Sequence, residues 1–175
     1  MATPRPPPMP HVDHARPEFR VGVGYDSHRF GPGDVVLLGG VRIPAAASLI
    51  GHSDADAVAH AITDAILGAA ALGDIGALFP DTDTDNKNRD SIQMLVVAAQ
   101  MVHAAGWTVS NVDVTVVCET PNIARVREAM RRTLAAALDV SVDAVWVKGK
   151  TNERMGWIGR GEGIAVIAVA SLARR

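Results

Sequence analysis

Only one of the 175 residues is cysteine, Cys118, so no internal disulfide can staple the fold. Aromatic side chains are scarce too, at 4% of the chain, and the core has to be aliphatic and alanine-rich. Neither sign of charge dominates: 17 Lys and Arg stand against 19 Asp and Glu. The net charge of −2 supplies no global positive field, which argues against nucleic acid as a partner. No stretch reaches the roughly 18 uninterrupted apolar residues of a membrane span, and the N-terminus lacks the apolar segment of a secretory signal. The expectation is a soluble cytoplasmic protein with no membrane contact. Proline is thin except at the start, where residues 1–18 hold Pro4, Pro6, Pro7, Pro8, Pro10 and Pro17. That segment reads as a disordered tail, and His11 and His14 within it receive no role. Residues 19–175 are left as a single domain of ordinary size.

The densest chemistry lies in Gly51 to Asp64. Ser53 is a preferred helix cap and Asp56 follows at capping-box spacing, so a helix is expected from Ser53 to about Leu72, ended by Gly73. Ala57, Val58, Ala61, Ile62, Ala65 and Ile66 make most of its circumference apolar, while Asp56, His60 and Asp64 recur every four residues on one ridge. Partly buried carboxylates and an imidazole need partners: solvent, one another or a metal. Asp26 and His28, two residues apart at a strand end, point to one face and complete a pincer with His60. Two imidazoles and a carboxylate are a three-ligand zinc set that keeps one position open. Spacing alone leaves an ordinary helix histidine as the competing reading. His52 and Ser53, at a helix start, form a natural anion site.

In chain order, Phe19–Tyr25 and Val35–Ile43 read as strands around the Gly31-Pro32-Gly33-Asp34 turn. Phe79 to Ser91 is a long polar loop of the lid or binding type, and it lacks the glycine and glutamate an EF-hand needs. A helix is expected from Asp90 or Ser91 to Ala104, where His103 is structural, and a strand over Asn111–Cys118. A helix over Ile123–Leu138 carries Arg125, Arg127, Arg131 and Arg132 as a solvated basic face. Strands follow over Ala144–Lys150 and Gly163–Leu172. The order implies an α+β two-layer sandwich, a mixed sheet with helices on one face. The other face has nothing within the chain to cover it, which points to self-association. Glycines 156, 159, 161 and 163 bracket Trp157, Arg160 and Glu162. Such a loop lets a ligand approach the backbone, and Lys150, Thr151 and Arg160 could donate to phosphate oxygens. Glu153 is a plausible Mg²⁺ ligand beside them.

Together these motifs make the chain resemble the 2-C-methyl-D-erythritol 2,4-cyclodiphosphate synthase family of the non-mevalonate isoprenoid pathway. They are Gly24-Tyr25-Asp26-Ser27-His28, Gly39 to Pro44, His52 to Asp56 with His60, Ala71 to Gly76, Phe79 to Asp83, Lys150 to Glu153 and Gly159 to Gly163, in order across Arg20 to the end. The resemblance implies a phosphorus–oxygen lyase that cyclises 4-diphosphocytidyl-2-C-methyl-D-erythritol 2-phosphate to 2-C-methyl-D-erythritol 2,4-cyclodiphosphate and releases CMP. It further implies a homotrimer whose sheets pack around a threefold axis, with active sites between subunits.

By the same resemblance, Asp26, His28 and His60 hold Zn²⁺, one per subunit, and Glu153 holds Mg²⁺ or Mn²⁺ beside the diphosphate. His52 and Thr151 stabilise the transition state, Ser53 helps hold phosphate, and Ser27 contacts substrate along with Asp26 and His28. Asp74, Ile75, Gly76 and the run Phe79, Pro80, Asp81, Thr82, Asp83 receive the methylerythritol part. Cys118, Glu119, Thr120, Pro121, Asn122, Ile123 and Ala124, with Lys150, Thr151, Asn152 and Glu153, form the cytidine and diphosphate side. Trp157 and Arg160 border an axial cavity for an isoprenoid diphosphate. Attack of the 2-phosphate on the β-phosphorus needs no protein nucleophile. It does need relief of phosphate repulsion, about 4 kcal/mol for two unit charges 4 Å apart at an effective dielectric of 20. Two positions and one segment depart from the family pattern: Asn122 stands where a Lys is usual, Trp157 where a Phe is common, and residues 84–88 replace a Pro-containing Lys-Gly segment. Two rival readings are a non-catalytic trimer that binds isoprenoid diphosphates and a zinc phosphoesterase.

Overall fold

The computed structural model describes residues 19–80, 82–83, 86 and 89–175. The tail 1–18, Asp81, Thr84, Asp85, Lys87 and Asn88 lie outside the described residues, and so do the expectations placed on them.

Five strands form one mixed sheet in the order β4-β1-β7-β5-β6. They are β1 (Phe19–Gly31), β4 (Ser48–Ile50), β5 (Trp107–Val117), β6 (Val145–Lys150) and β7 (Gly163–Arg174). Only β5 and β6 pair in parallel; β1–β4, β1–β7 and β5–β7 are antiparallel. The first strand does not stop at Tyr25 but alternates on to Gly31, because Asp26 and His28 keep the inward register that Gly22 and Gly24 set. The expected strand 35–43 is instead a hairpin, β2 (Val35–Leu38) and β3 (Val41–Pro44). Gly39 and Gly40 turn it with φ of 56° and 73°, the left-handed pair that a two-residue hairpin loop requires.

Helix α1 spans Ala57–Ala70, so Ser53 is not its cap. Asp56 is: its Oδ1 accepts from the Val58 and Ala59 N–H groups at 3.1 Å each. Ala55 at φ 60° interrupts any helix started at Ser53. The helix ends on Ala71 at φ 59°, two residues before Gly73. A short α2 (Ile75–Leu78) is capped by Asp74, and α3 (Ser91–Ala104) by Asp90, one of the two caps its sequence offered. The expected helix 123–138 is a single 3₁₀ turn, Ile123–Arg125, followed by α4 (Arg127–Leu138). A last turn, α5, covers Gly156–Gly159.

Helix α1 packs across β1 and β7, α3 beside α1 and β5, and α4 against β6. Leu67, Leu95, Leu134 and Leu138 are fully buried between these layers, each contributing about 1.5–3 kcal/mol relative to exposure. The basic face of α4 is not simply solvated. Arg131 is buried, donating through Nε to the Val145 carbonyl at 2.7 Å and through Nη2 to Val142 at 2.9 Å. Arg127 donates to Val147 at 2.7 Å, and both guanidinium groups stack on Trp146. The Val145 and Val147 carbonyls they satisfy lie on the outer side of the edge strand β6.

On the opposite sheet face Phe19, Val21, Val23 and Tyr25 of β1 are more than half exposed, and Ile167 and Val169 of β7 continue the patch. The mixed sheet with helices on one face is therefore as read from the sequence. Among the described residues no helix is long and apolar enough to cross a membrane.

Candidate metal centre and adjoining cavities

Asp26 and His28 project from the inward face of β1 onto α1, where His60 meets them. The close approach has a specific origin. A Cβ at Gly24 would lie 1.8 Å from the Ala61 carbonyl oxygen, and one at Gly22 would lie 2.0 Å from that of Ala65. Two glycines on one face of a strand and Ala61, Ala65 and Ala69 on one ridge of a helix let the two backbones nearly touch.

The Asp26 Oδ2 lies 3.0 Å from His28 Nε2 and 3.0 Å from His60 Nδ1, and the two nitrogens are 3.4 Å apart. Ligand atoms around tetrahedral zinc, with bonds of about 2.0–2.1 Å, stand roughly 3.3 Å apart, so this carboxylate and two imidazoles fit a divalent metal. Burial works against a charge on Asp26, yet hydrogen bonds with His28 and then His60 hold its carboxyl well below the usual range. Burial likewise opposes a charge on His28, but the hydrogen bond and charge of Asp26 raise its pKa. The His28 Nδ1 donates to the Ile50 carbonyl at 3.0 Å, which leaves Nε2 for the cluster.

The polar ridge of α1 divides three ways. Only His60 joins the cluster. Asp56 is fully buried and, besides capping α1, accepts from the Gly39 and Gly40 N–H groups at 2.8 and 2.6 Å. Burial pushes its carboxyl up while these donors pull it down. Asp64 accepts from the Ile75 N–H at 2.8 Å, and burial raises its pKa as well.

Beside the cluster lies a cavity of about 230 Å³ lined by His28, His52, Ser53, His60, Ile75, Gly76, Phe79, Asn86 and Met94. His52 is exposed at its edge, while Ser53 Oγ lies 3.0 Å from His60 Nε2. Phe79 is buried under the Arg89 guanidinium, 4.7 Å from its ring centre, and the Pro80 carbonyl accepts from Asn86. Asp74 is engaged as the α2 cap. Thr82 and Asp83 are exposed and do not line the cavity. Ser27 points to the opposite sheet face from Asp26 and His28, and only its N–H reaches the Asp26 carboxylate.

A second cavity, of about 190 Å³, is lined by Cys118, Glu119, Pro121, Asn122, Ile123, Ala124, Arg127, Gly149, Lys150 and Thr151. Among the described residues it shares none of its lining with the first. Burial, helped by Glu119, pushes the Cys118 thiol up to about 11. Asn122 caps the 3₁₀ turn by accepting from the Ala124 N–H at 3.0 Å. Glu119 Oε1 accepts from the Asn152 and Arg154 N–H groups at 3.0 and 3.2 Å, pinning a loop in which Glu153 and Arg154 both have positive φ. Thr151 Oγ1 donates to Glu153 at 3.1 Å. Glu153 belongs to no three-ligand cluster among the described residues, and neither Thr120, Trp157 nor Arg160 lines either cavity. Arg160 pairs with Glu162 at 2.6 Å on the surface.

Two residues not anticipated from the sequence complete the surroundings of His60: Ser91 Oγ lies 2.8 Å from its Nε2 and donates to Asp54. Their spacing on the chain, 31 residues from His60 to Ser91, left no local signal.

Residues 19–173 match the YgbB family. The 2-C-methyl-D-erythritol 2,4-cyclodiphosphate synthase of Gemmatimonas aurantiaca is 58% identical over 154 residues, covering 88% of this chain and 93% of that one. The Pseudomonas aeruginosa synthase of that name is 54% identical over 157 residues, 90% of this chain and all of its own. Among solved structures, the bifunctional IspDF of Campylobacter jejuni superimposes with a TM-score of 0.87 at 42% identity, covering 90% of this chain. This chain spans 43% of that longer protein. The Plasmodium falciparum IspF complex with CDP gives 0.81 at 32% identity, covering 92% of this chain and 99% of its own. With these sequence and structural matches over nearly its whole described length, the chain belongs to the YgbB family, together with the 2-C-methyl-D-erythritol 2,4-cyclodiphosphate synthases.

Proposed function

We propose that this chain converts 4-diphosphocytidyl-2-C-methyl-D-erythritol 2-phosphate into 2-C-methyl-D-erythritol 2,4-cyclodiphosphate and CMP. The observation that carries the reading is the Asp26–His28–His60 cluster opening beside a cavity edged by His52 and Ser53, in a chain so similar to synthases of that name. An oxygen of the 2-phosphate attacks the β-phosphorus, a P–O bond forms there, and the bond from the β-phosphorus to CMP breaks as CMP leaves. The reacting groups belong to one molecule, so the work of the site is to fold a polyanion and hold it in line.

Asp26, His28 and His60 would hold zinc, and Glu153 a magnesium or manganese ion with the diphosphate. Bound there, divalent cations offset phosphate repulsion and polarise the β-phosphoryl group. His52 stabilises the transition state through phosphate contacts, Ser53 helps hold phosphate, and Ile75, Gly76 and Phe79 enclose the methylerythritol carbons. Cys118 to Ala124 with Lys150 to Glu153 receive the cytidine and its diphosphate, and Thr151 aids the transition state. Two cavities without a common lining residue support assembly of the whole site between subunits. The exposed patch of Phe19, Val21, Val23, Tyr25, Ile167 and Val169 supports a homotrimer closed on that sheet face. In such a trimer Trp157 and Arg160 would border the axial cavity.

Incubation of the purified protein with the substrate, Zn²⁺ and Mg²⁺, with both products identified by mass spectrometry, tests the reaction. Equimolar CMP and cyclic diphosphate are expected. A hydrolysed linear product would instead identify a phosphoesterase, and unchanged substrate a binding protein. His60→Ala is expected to abolish turnover.

A further inference from the structure

We propose that Asp54 and Ser91 are positioning residues that fix the tautomer and orientation of His60, so that its Nδ1 faces the metal centre. The two histidines of the cluster reach the same end by different means. In His28 the Nδ1–H is committed to a backbone carbonyl, that of Ile50, which no side-chain change removes. In His60 the commitment is made by side chains. Ser91 is fully buried at the first position of α3, and Asp54 grips it twice: Oδ2 accepts its N–H at 3.0 Å, and Oδ1 accepts its hydroxyl. A carboxylate only accepts, so the Ser91 proton points at Asp54. Toward His60 Nε2, 2.8 Å away, Ser91 Oγ has only a lone pair to offer. The nitrogen must therefore carry the proton and donate it. With the hydrogen on Nε2, a neutral His60 presents its Nδ1 lone pair to a metal held in the cluster; without a metal, Nδ1, 3.0 Å from Asp26 Oδ2, bonds that carboxylate only when it too carries a proton.

The same network reaches the anion site. Ser53 Oγ lies 3.0 Å from Nε2 and 3.5 Å from Ser91 Oγ, and accepts from the Ala55 N–H at 3.3 Å, on the wall of the cavity it lines. Asp54 also donates its N–H to the Arg89 carbonyl at 3.4 Å, closing the loop that carries His52 and Ser53 onto the segment entering α3. A carboxylate, a hydroxyl and an imidazole in series thus tie the segment entering α3 to His60. This inference rests on the reading of Asp26, His28 and His60 as a metal site.

Zinc affinity measured by competition with a chromophoric chelator tests it without recourse to turnover. Partners of this kind around metal-bound histidines are worth about 10- to 100-fold in affinity, and Ser91→Ala and Asp54→Ala should each lose that much. Asp54→Ala leaves the Ser91 hydroxyl in place but frees its proton to turn toward Nε2. Because both act through one chain of bonds, the double variant should bind zinc no more weakly than the worse single one. Thermal melts of the metal-free proteins separate loss of fold from loss of affinity, and Asp54→Ala carries the test if Ser91→Ala does not fold. Wild-type affinity in a folded single variant, or additive losses in the double, overturns the proposal while leaving the metal site standing. Failure of the wild-type protein to take up zinc overturns both.

Discussion

Gly24→Ala should damage the candidate metal centre without touching Asp26, His28 or His60. The new Cβ would sit 1.8 Å from the Ala61 carbonyl oxygen and 2.9 Å from the Ala65 nitrogen, both backbone atoms of α1. Ordinary contact begins near 3.4 Å, so strand and helix have to part by about 1.6 Å. No side chain can rotate out of the way. Overpacking of this kind costs about 1–3 kcal/mol, and a backbone clash belongs at the upper end. The movement opens the gap between β1 and α1 two residues from Asp26 and one residue from His60. Metal–ligand distances hold within about 0.2 Å, so a displacement above 1 Å takes His60 out of coordination. Zinc affinity should fall at least about 100-fold.

Gly22→Ala provides the comparison, because its clash with the Ala65 carbonyl, at 2.0 Å, is nearly as severe but lies a further pair of strand residues from Asp26. Both variants should lower the urea midpoint by similar amounts, with Gly24→Ala losing much more zinc affinity. If Gly24→Ala keeps the wild-type midpoint and affinity, or if the two variants lose zinc equally, the argument that close strand–helix contact sets the ligand geometry is refuted.

Asp56→Ala removes the α1 cap and leaves the Gly39 and Gly40 N–H groups buried without acceptors. A loss of about 3 kcal/mol or more in urea unfolding is expected, with an unchanged slope. The Cys118 thiol, raised to about 11, should be alkylated by iodoacetamide at pH 8 roughly a hundredfold more slowly in the native than in the unfolded protein; equal rates would contradict its burial. Zinc affinity should decline as pH falls. His28 holds its proton more tightly than a free imidazole, so proton competition sets in above the ordinary value of 6.5, and a chelator titration across pH 5–8 reads the onset. In the metal-free protein the sign is reversed. The raised pKa of His28 stabilises the fold below 6.5 and that contribution fades as pH rises through the folded value, while the lowered pKa of Asp26 stabilises it above 3.8 and is lost in more acid solution. The metal-free protein should therefore melt highest between those two values.

The Asp26–His28–His60 cluster was legible in the sequence because each element declares its inward face by period. The alternation of β1 carries Asp26 and His28 to one side, and the fourfold ridge of α1 carries His60 toward them. The same ridge misled for Asp56 and Asp64, whose partners are backbone N–H groups delivered by the β2–β3 turn and by the start of α2. A polar residue on an apolar helix signals that it has a partner, but not whether the partner is an ion or a peptide group. The start of α1 was missed for a related reason: Ser53 has the chemistry of a cap, yet its hydroxyl faces His60, and Asp56 takes the helix N-terminus. Likewise the arginines of α4 look solvated by composition, while the edge carbonyls of β6 that engage them exist only once the sheet is built.

What the sequence could not show is the meeting of distant short segments, and that is where the surroundings of His60 come from. Ser91 reads only as a candidate helix cap, and Asp54 only as one acid among several before a helix. Their roles follow from the hairpin of connections that brings residues 52–56 against residues 89–91, which no periodicity encodes. The division has a physical basis. Ligands must protrude from regular elements whose geometry fixes their separation, so they inherit a period. The groups that orient those ligands need only reach the far side of the ring, and any loop that arrives there with a hydroxyl and a carboxylate can supply them.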